Sequence, residues 1–360
     1  MKFEEALSKI RKLDDEALEH ARQRWDSVAK PLRSLGMLEE AIIKIAGITG
    51  NSKVSLDKKA LVIMCADNGV VEEGVTQTGQ EVTAIVTENF TKRKATVSVM
   101  SSVAGVDLFP IDIGVYRDLE NSLGKDEEIV PSRILNRKVA YGTKNMLKGP
   151  AMTREQAIEA IEVGINMVKH LKEKGYNIIA TGEMGIGNTS TSSAIASVYL
   201  NEPVENVTGK GAGLSSQGLE RKIQVIKESI KLNKPDENDP IDILSKLGGY
   251  DIAGLTGVFI GGAVYNIPVV IDGFISAVSA LVAMKIEPLV KNYMLPSHVS
   301  KEPAGKMLID ALGLKPFINC EMCLGEGSGA VALFPILDMA LTVYNEMSSF
   351  DDVAFKYKPL

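Results

Sequence analysis

At 360 residues, 45% of them hydrophobic and 24% charged, the chain has a globular composition and enough length for one large α/β domain or a domain with an appendage. A formal net charge of -6 without long lysine or arginine runs argues against nucleic-acid binding, and three cysteines, Cys65, Cys320 and Cys323, exclude a disulfide framework. The amino terminus is too charged for a signal peptide and no uninterrupted apolar stretch reaches about 18 residues, so a cytoplasmic protein without a membrane span is expected.

Residues 3–28 alternate apolar and charged positions at helical spacing, and Leu7, Ile10, Leu13, Leu18 and Ala21 line one side of a single amphipathic helix. Pro31 and Ser34-Leu35-Gly36 form a loop before a helix from Met37. Residues 61–66 read as a strand running into the sharp turn Asp67-Asn68-Gly69. The polar loop 72–79 lies where a ligand is often touched, and it enters a helix near Gln80 that ends among residues 91–93. The next strand is 106–113, and 137–150 is an irregular connection. A helix over 152–174 is opened by Thr153, with Glu155 and Gln156 near capping-box spacing. Strand, helix and strand in this order predict parallel neighbours joined by right-handed crossovers.

The stretch 176–200 combines a buried strand at Ile178-Ile179-Ala180, a turn carrying Gly182, Gly185 and Gly187, and a helix start at which Asn188, Thr189 and Ser190 offer cap side chains. Such a turn aims N–H groups and a positive dipole end at an anion, a phosphate being the usual occupant. Glu183 would repel a bare phosphate, so it faces a sugar hydroxyl or a cationic part of the ligand. Neither the P-loop nor the G-x-G-x-x-G dinucleotide spacing is present. The glycine loop 207–214 repeats the logic, with Ser215 as N-cap and Lys210 or Lys222 available to a phosphate.

Residues 242–247 form a short helix and 255–263 a small-residue helix suited to close packing. Strand 268–271 delivers Asp272-Gly273 to its carboxyl end, where open α/β sheets bind ligands, and 274–284 is a buried apolar helix. His298 reads as a structural hydrogen-bonder without a second histidine to suggest a metal site, and His20 and His170 read as solvated. Cys320 and Cys323 have C-x-x-C spacing and read as packing residues near the end of a strand at 317–320. A second glycine turn at 324–329 then feeds a helix over 330–347. Its Glu326 is open to close approach by a substrate, while Met322 and Leu324 would desolvate it and raise its pKa.

Nine segments, taken together and in order, resemble the nicotinate-nucleotide:dimethylbenzimidazole phosphoribosyltransferase family of cobalamin lower-ligand assembly. They are SLGMLE at 34–39, ADNGV at 66–70, GQEVT at 79–83, GTKNMLKGPAMT at 142–153, GEMGIGNTS from Gly182, TGKGAGL from Thr208, IPVVIDGF from Ile267, SHVSKEPAG from Ser297 and LGEGSGA from Leu324. The resemblance implies an α/β fold with a parallel sheet and Rossmann-like crossover helices over 40–328, plus a small helical domain built from both chain ends, 1–39 and 329–360. It also implies a homodimer acting on nicotinate mononucleotide and a benzimidazole-type base, with no cofactor and no metal.

By the same resemblance, Glu326 is the general base and Glu183 assists, positioning the nucleotide or supporting charge on the ribose. The nucleotide site falls on Gly185, Gly187, Asn188, Thr189, Gly209, Gly211, Lys222, Asp272, Gly273 and Ser300, and the base site on Asn68, Thr76, Gln80, Met322 and Leu324. The implied reaction needs no general acid, because the nicotinate nitrogen is already a cationic pyridinium and leaves as a neutral ring. The incoming base must lose one proton, and attack opposite the leaving group turns a β- into an α-glycosidic bond. Asn68 stands where the family usually has histidine, and 76–79 replaces a more aromatic segment, which leaves adenine, another benzimidazole or a phenol open as acceptor. The rival readings are a nicotinamide-dependent oxidoreductase and a non-catalytic nucleotide-binding protein.

Overall fold

The computed structural model describes residues 1–353. Six parallel strands form one sheet: β1 (Lys59–Ala66), β2 (Val106–Gly114), β3 (Leu135–Asn136), β4 (Ile178–Met184), β5 (Val269–Ile271) and β6 (Met294–Pro296), in the order β3-β2-β1-β4-β5-β6. From β1 the chain steps outward through β2 to β3, then returns to the opposite side of β1 through β4. The order therefore reverses between β1 and β4, and the crevice beyond their carboxyl ends is the expected ligand position in an open parallel sheet.

The near-continuous apolar runs in the strands follow from burial of both faces. Val62 and Met64 of β1 pack into one core with Ile161 and Ile165 of the helix Arg154–Glu173, Leu255 of Tyr250–Tyr265 and Val278 of Phe274–Ile286. Leu61, Ile63 and Cys65 pack into the other, with Ile42 of the helix Met37–Thr49, Val97 of Thr96–Ala104 and Leu337 of Ser328–Glu346. Ser328–Glu346 has the length and apolarity of a membrane span, but Val331, Leu333, Phe334 and Leu337 are buried in this core.

The helix predicted over 3–28 is two helices, Phe3–Leu7 and Asp15–Ser27, the second capped by Asp14, whose carboxylate accepts from Ala17 N at 2.8 Å. Phe3, Ala6 and Ile10 belong to the first core and Ala21 and Trp25 to the second, so the chain must pass around the sheet between them. One straight helix cannot serve both faces. The predicted strand at 317–320 reduces to a single bridge between His298 and Ile318. His20 is exposed as expected, whereas His170 is half-buried with Nε2 sealed from solvent. The helices Thr96–Ala104 and Gly305–Ala311 and the short strands β3 and β6 escaped the sequence pattern.

Trp25 and Tyr344 stack with ring centroids 5.1 Å apart, and Arg24 donates to the carbonyls of Tyr344 at 2.9 Å and Met347 at 2.8 Å. The two chain ends thus meet. Residues 354–360 of the expected small domain lie outside the described residues.

The helices Arg154–Glu173 and Tyr250–Tyr265 cross through glycines, as the small-residue pattern of 255–263 suggests. A Cβ on Gly164 would overlap the Gly254 carbonyl, and one on Gly257 would overlap the Ile161 carbonyl. Neither neighbour is a side chain that can swing away. Gly257→Ala should therefore destabilise the protein by about 1–3 kcal/mol, read as a lowered denaturation midpoint. By comparison, Val103→Ala at a position 84% exposed should shift it little, within about 0.5 kcal/mol.

Candidate active site

A cleft of about 360 Å³ opens beside the reversal point, beyond the carboxyl ends of β4, β5 and β6 and walled by Thr78, Val82 and Val86 from the chain that follows β1. Strand β4 runs further than the apolar pattern suggests, to Met184, so Gly182 and Glu183 are strand residues and not part of the turn. A Cβ on Gly182 would overlap the carbonyl of Glu326, so this glycine lets the second glycine turn dock directly on β4. A Cβ on Gly185 would lie 2.6 Å from Asp251 Oδ2, and Gly185 makes room for that buried carboxylate.

Gly187, at φ 94°, occupies the N-cap of the helix Asn188–Leu200, which makes no side-chain cap bond. The expected caps Asn188, Thr189 and Ser190 are inside the helix, and the first two serve the site instead. Asn188 Nδ2 donates to Glu183 Oε2 and, at 3.1 Å, to Asp251 Oδ2. Thr189 Oγ1 accepts from Lys222 Nζ at 2.8 Å.

Lys222 is 1% exposed and its Nζ also donates to the Gly209 carbonyl at 3.1 Å. Lys210, the alternative, is exposed. Burial pulls Lys222 down to about 8, opposed by the carboxylate of Glu302. Gly211 lines the cleft in the left-handed region at φ 54°, where a Cβ would stand 3.6 Å from Lys222 Nζ. Gly209 lies behind the wall, against Glu302.

Glu326 also adopts a left-handed conformation, φ 62°, between Gly325 at 89° and Gly327 at 96°. Its Oε2 accepts from Val97 N at 3.1 Å, at the start of the helix Thr96–Ala104. Burial raises its pKa and this N–H opposes the rise. The turn is anchored by Asp272, which accepts from the N–H groups of Gly327 at 3.1 Å, Gly329 at 2.7 Å and Ala330 at 3.0 Å. Asp272 and Gly273 do line the cleft, yet the Asp272 carboxylate is committed to the turn.

Glu183 is pushed up to about 8, first by burial and then by the carboxylate of Asp251, against the Asn188 amide. Burial likewise pushes Asp251 up to about 7. The cleft therefore has a carboxyl-rich end, formed by Glu183 and Glu326 with Asp251 behind them, and an end at Thr189 and Gly211 with Lys222 buried behind it.

Of the residues expected at the base, Leu324 lines the cleft and is 53% exposed, while Met322 does not line it. Asn68 is buried behind the wall, its Nδ2 directed to the Ile186 carbonyl at 3.5 Å. Gln80 Nε2 donates to the Asn68 carbonyl at 3.4 Å, and Thr76 Oγ1 to the Thr78 carbonyl at 2.8 Å. Thr78, with Val82 and Val86 one turn apart on the helix Glu81–Thr91, forms that wall instead. Ser300 lines the cleft as expected, and so do His298 and Glu302, which were not assigned to it. Cys320 and Cys323 are exposed, correcting their reading as packing residues: without a strand at 317–320 nothing covers them.

Sequence reasoning missed Asp251, which sits in the first turn of a helix with no motif around it, and Val97, which contributes only its backbone. Glu302 was within a quoted segment and carried its own signal as an acid beside a proline.

A family model described as a phosphoribosyltransferase, DBI_PRT, matches residues 10–354. The chain belongs to this phosphoribosyltransferase family. The nicotinate-nucleotide–dimethylbenzimidazole phosphoribosyltransferase of Ruminiclostridium cellulolyticum is 51% identical over 100% of both chains, and that of Acetivibrio thermocellus 50% identical over 99% of both. The crystal structure of CobT from Thermus thermophilus superposes with a TM-score of 0.86 at 33% identity, covering 95% of this chain and 100% of that one. This phosphoribosyltransferase is thus an α/β enzyme with a parallel sheet, as the sequence resemblance implies.

The raised carboxyls make stability depend on pH. In the folded enzyme Glu183 binds its proton up to about pH 8, against an ordinary value of 4.5. Its contribution is fully present below the unfolded value and is lost as pH rises through the folded one. The ligand-free protein should show a melting midpoint that falls between about pH 5 and pH 8, and Glu183→Gln should flatten that slope when thermal unfolding is followed across the range.

Proposed function

We propose that the enzyme transfers the phosphoribosyl group of nicotinate mononucleotide to 5,6-dimethylbenzimidazole, giving α-ribazole 5′-phosphate and nicotinate with inversion at C1′. The observation that carries the proposal is the polarity of one cleft: Thr189 and Gly211 at one end, backed by the buried Lys222, and glycine-flanked Glu326 at the other. Lys222, Thr189 and the glycine loop at 209–211 hold the phosphate, with the amino end of the helix Asn188–Leu200 favouring its charge. Glu183 and Glu326 face the pyridinium and the ribose, where buried carboxylates favour positive charge.

Val82, Val86 and Leu324 support an apolar, methylated aromatic acceptor beside Glu326. The acceptor nitrogen attacks C1′ with its lone pair as the C1′–nicotinate bond breaks, and the bonding electrons leave with the ring, which becomes neutral. Glu326 takes the N–H proton from the other nitrogen of the acceptor. Val97 N–H fixes one oxygen of that carboxylate, and its raised pKa brings it toward the range suited to a base near neutrality. The further parts of the reading are the small domain of residues 1–39 and 329–360, a cytoplasmic location and a homodimer. Val99 and Val103, 52% and 84% exposed and one turn apart on the helix Thr96–Ala104, support the dimer.

Glu326→Gln should lower kcat by about 10²–10⁴-fold while nicotinate mononucleotide still binds, as measured by calorimetry beside nicotinate release; undiminished turnover would reject Glu326 as the base. Lys222→Met keeps the apolar stem and removes the charge, and it should weaken nucleotide binding by about 10–100-fold, with a smaller effect on affinity for the free base.

A further inference from the structure

The chain leaves β6 through a bridge at His298 and bends at 301–302, and His298, Ser300 and Glu302 all line the cleft. The Glu302 end lies by the phosphate lysine, since a Cβ on Gly209 would overlap a Glu302 oxygen and Gly209 also accepts from Lys222. At the bend Glu302 N donates back to Ser300 Oγ at 3.3 Å, and His298 lies on the side of the Glu326 turn, against Gly329. At that end its Nε2 lies between two glycines: a Cβ on Gly329 would be 2.5 Å from it and one on Gly273 3.4 Å.

His298 is 4% exposed and its two nitrogens differ. Nδ1 is sealed from solvent with no hydrogen-bond partner, whereas Nε2 faces the space left open by Gly329 and Gly273. A proton on Nδ1 would be a buried donor facing nothing, and native structures tolerate an orphaned acceptor more readily than an orphaned donor. The neighbouring Asp272 gives its oxygens to three backbone N–H groups and none to the imidazole. Burial keeps the ring neutral by holding its pKa below the usual value. This arrangement favours the proton on Nε2, from which the ring can donate to a group in the cleft.

We infer that His298 is a specificity residue, a neutral imidazole in the Nε2–H tautomer that donates a hydrogen bond to the carboxylate of the nicotinate ring. The inference rests on the substrate assignment above. Glu183, Asp272 and Glu326 also line the cleft, and whichever of them is ionised favours the pyridinium but repels its carboxylate. One neutral donor in that wall answers the repulsion without cancelling the attraction. A nicotinamide ring, whose amide oxygen carries no charge, would gain less from it.

Nitrogen-15 labelling of the three histidines, with His298→Gln to assign the signal, reads the tautomer directly. The ligand-free enzyme should show a protonated Nε2 and a bare Nδ1, and nicotinate mononucleotide should move the Nε2 signal. His298→Ala should raise KM for nicotinate mononucleotide about 10–100-fold with a smaller change in kcat, and it should weaken nicotinamide mononucleotide binding far less. His298→Gln, which restores a donor near Nε2, should recover much of the loss. A proton found on Nδ1, equal losses for both nucleotides, or unmoved His298 signals in a wild-type enzyme that binds nicotinate mononucleotide would overturn the inference alone. A wild-type enzyme that binds none would overturn the substrate assignment and this inference with it.

Discussion

The carboxylate of Asp272 holds the Glu326 turn against β4, and the rest of the site depends on that attachment. Glu326 pays for its position with a left-handed backbone, a conformation that costs a non-glycine residue of order 1–3 kcal/mol. Three hydrogen bonds from backbone N–H groups to the buried Asp272 carboxyl act against that cost, although burial still pushes its pKa up to about 7. Gly182 supplies the other half of the arrangement by having no side chain where the Glu326 carbonyl rests. A strand end, a second strand's aspartate and the start of a helix far along the chain are thereby locked into one geometry.

Charge in the cleft is arranged in the same unsparing way. Glu183 and Asp251 share one amide, that of Asn188, and no cation forms an ion pair with either among the described residues. Lys222 is equally buried and is satisfied by a hydroxyl and a carbonyl, with Glu302 near but not paired. Neither end is closed by an ion pair: burial favours the protonated forms of Glu183 and Asp251, and Lys222 is held by neutral oxygens with the Glu302 carboxyl nearby. On the proposed reading, a ligand with a cationic ring at one end and a phosphate at the other would take binding energy and orientation from the same groups.

The wall on the acceptor side is built differently. Asn68, Thr76 and Gln80 stand in a layer behind Thr78, Val82 and Val86, so their effect on the acceptor is transmitted through the backbone they support. Polar side chains in that layer brace the glycine turn at 185–187 from beneath, while the surface offered to a ring is mostly aliphatic.

Strands β1, β2, β4 and β5, the helix Arg154–Glu173 with its Thr153 cap and the two glycine turns were legible in the sequence because each rests on local signals: apolar runs, capping side chains and glycines that permit tight turns. Motifs also located Glu183, Lys222, Asp272 and Glu326. Tertiary structure alone decided what those residues touch. The helix Thr96–Ala104 is rich in valine, serine and threonine, a composition with no strong helical preference, and it forms where Val97 can pack into the core and meet Glu326. Asp251, His298 and Glu302 join the site because the sheet order brings the ends of β4, β5 and β6 together across about 120 residues of intervening chain. Local sequence determined which elements form, whereas the contacts that set the charge and protonation of each side chain come from distant parts of the chain, and only the folded arrangement contains them.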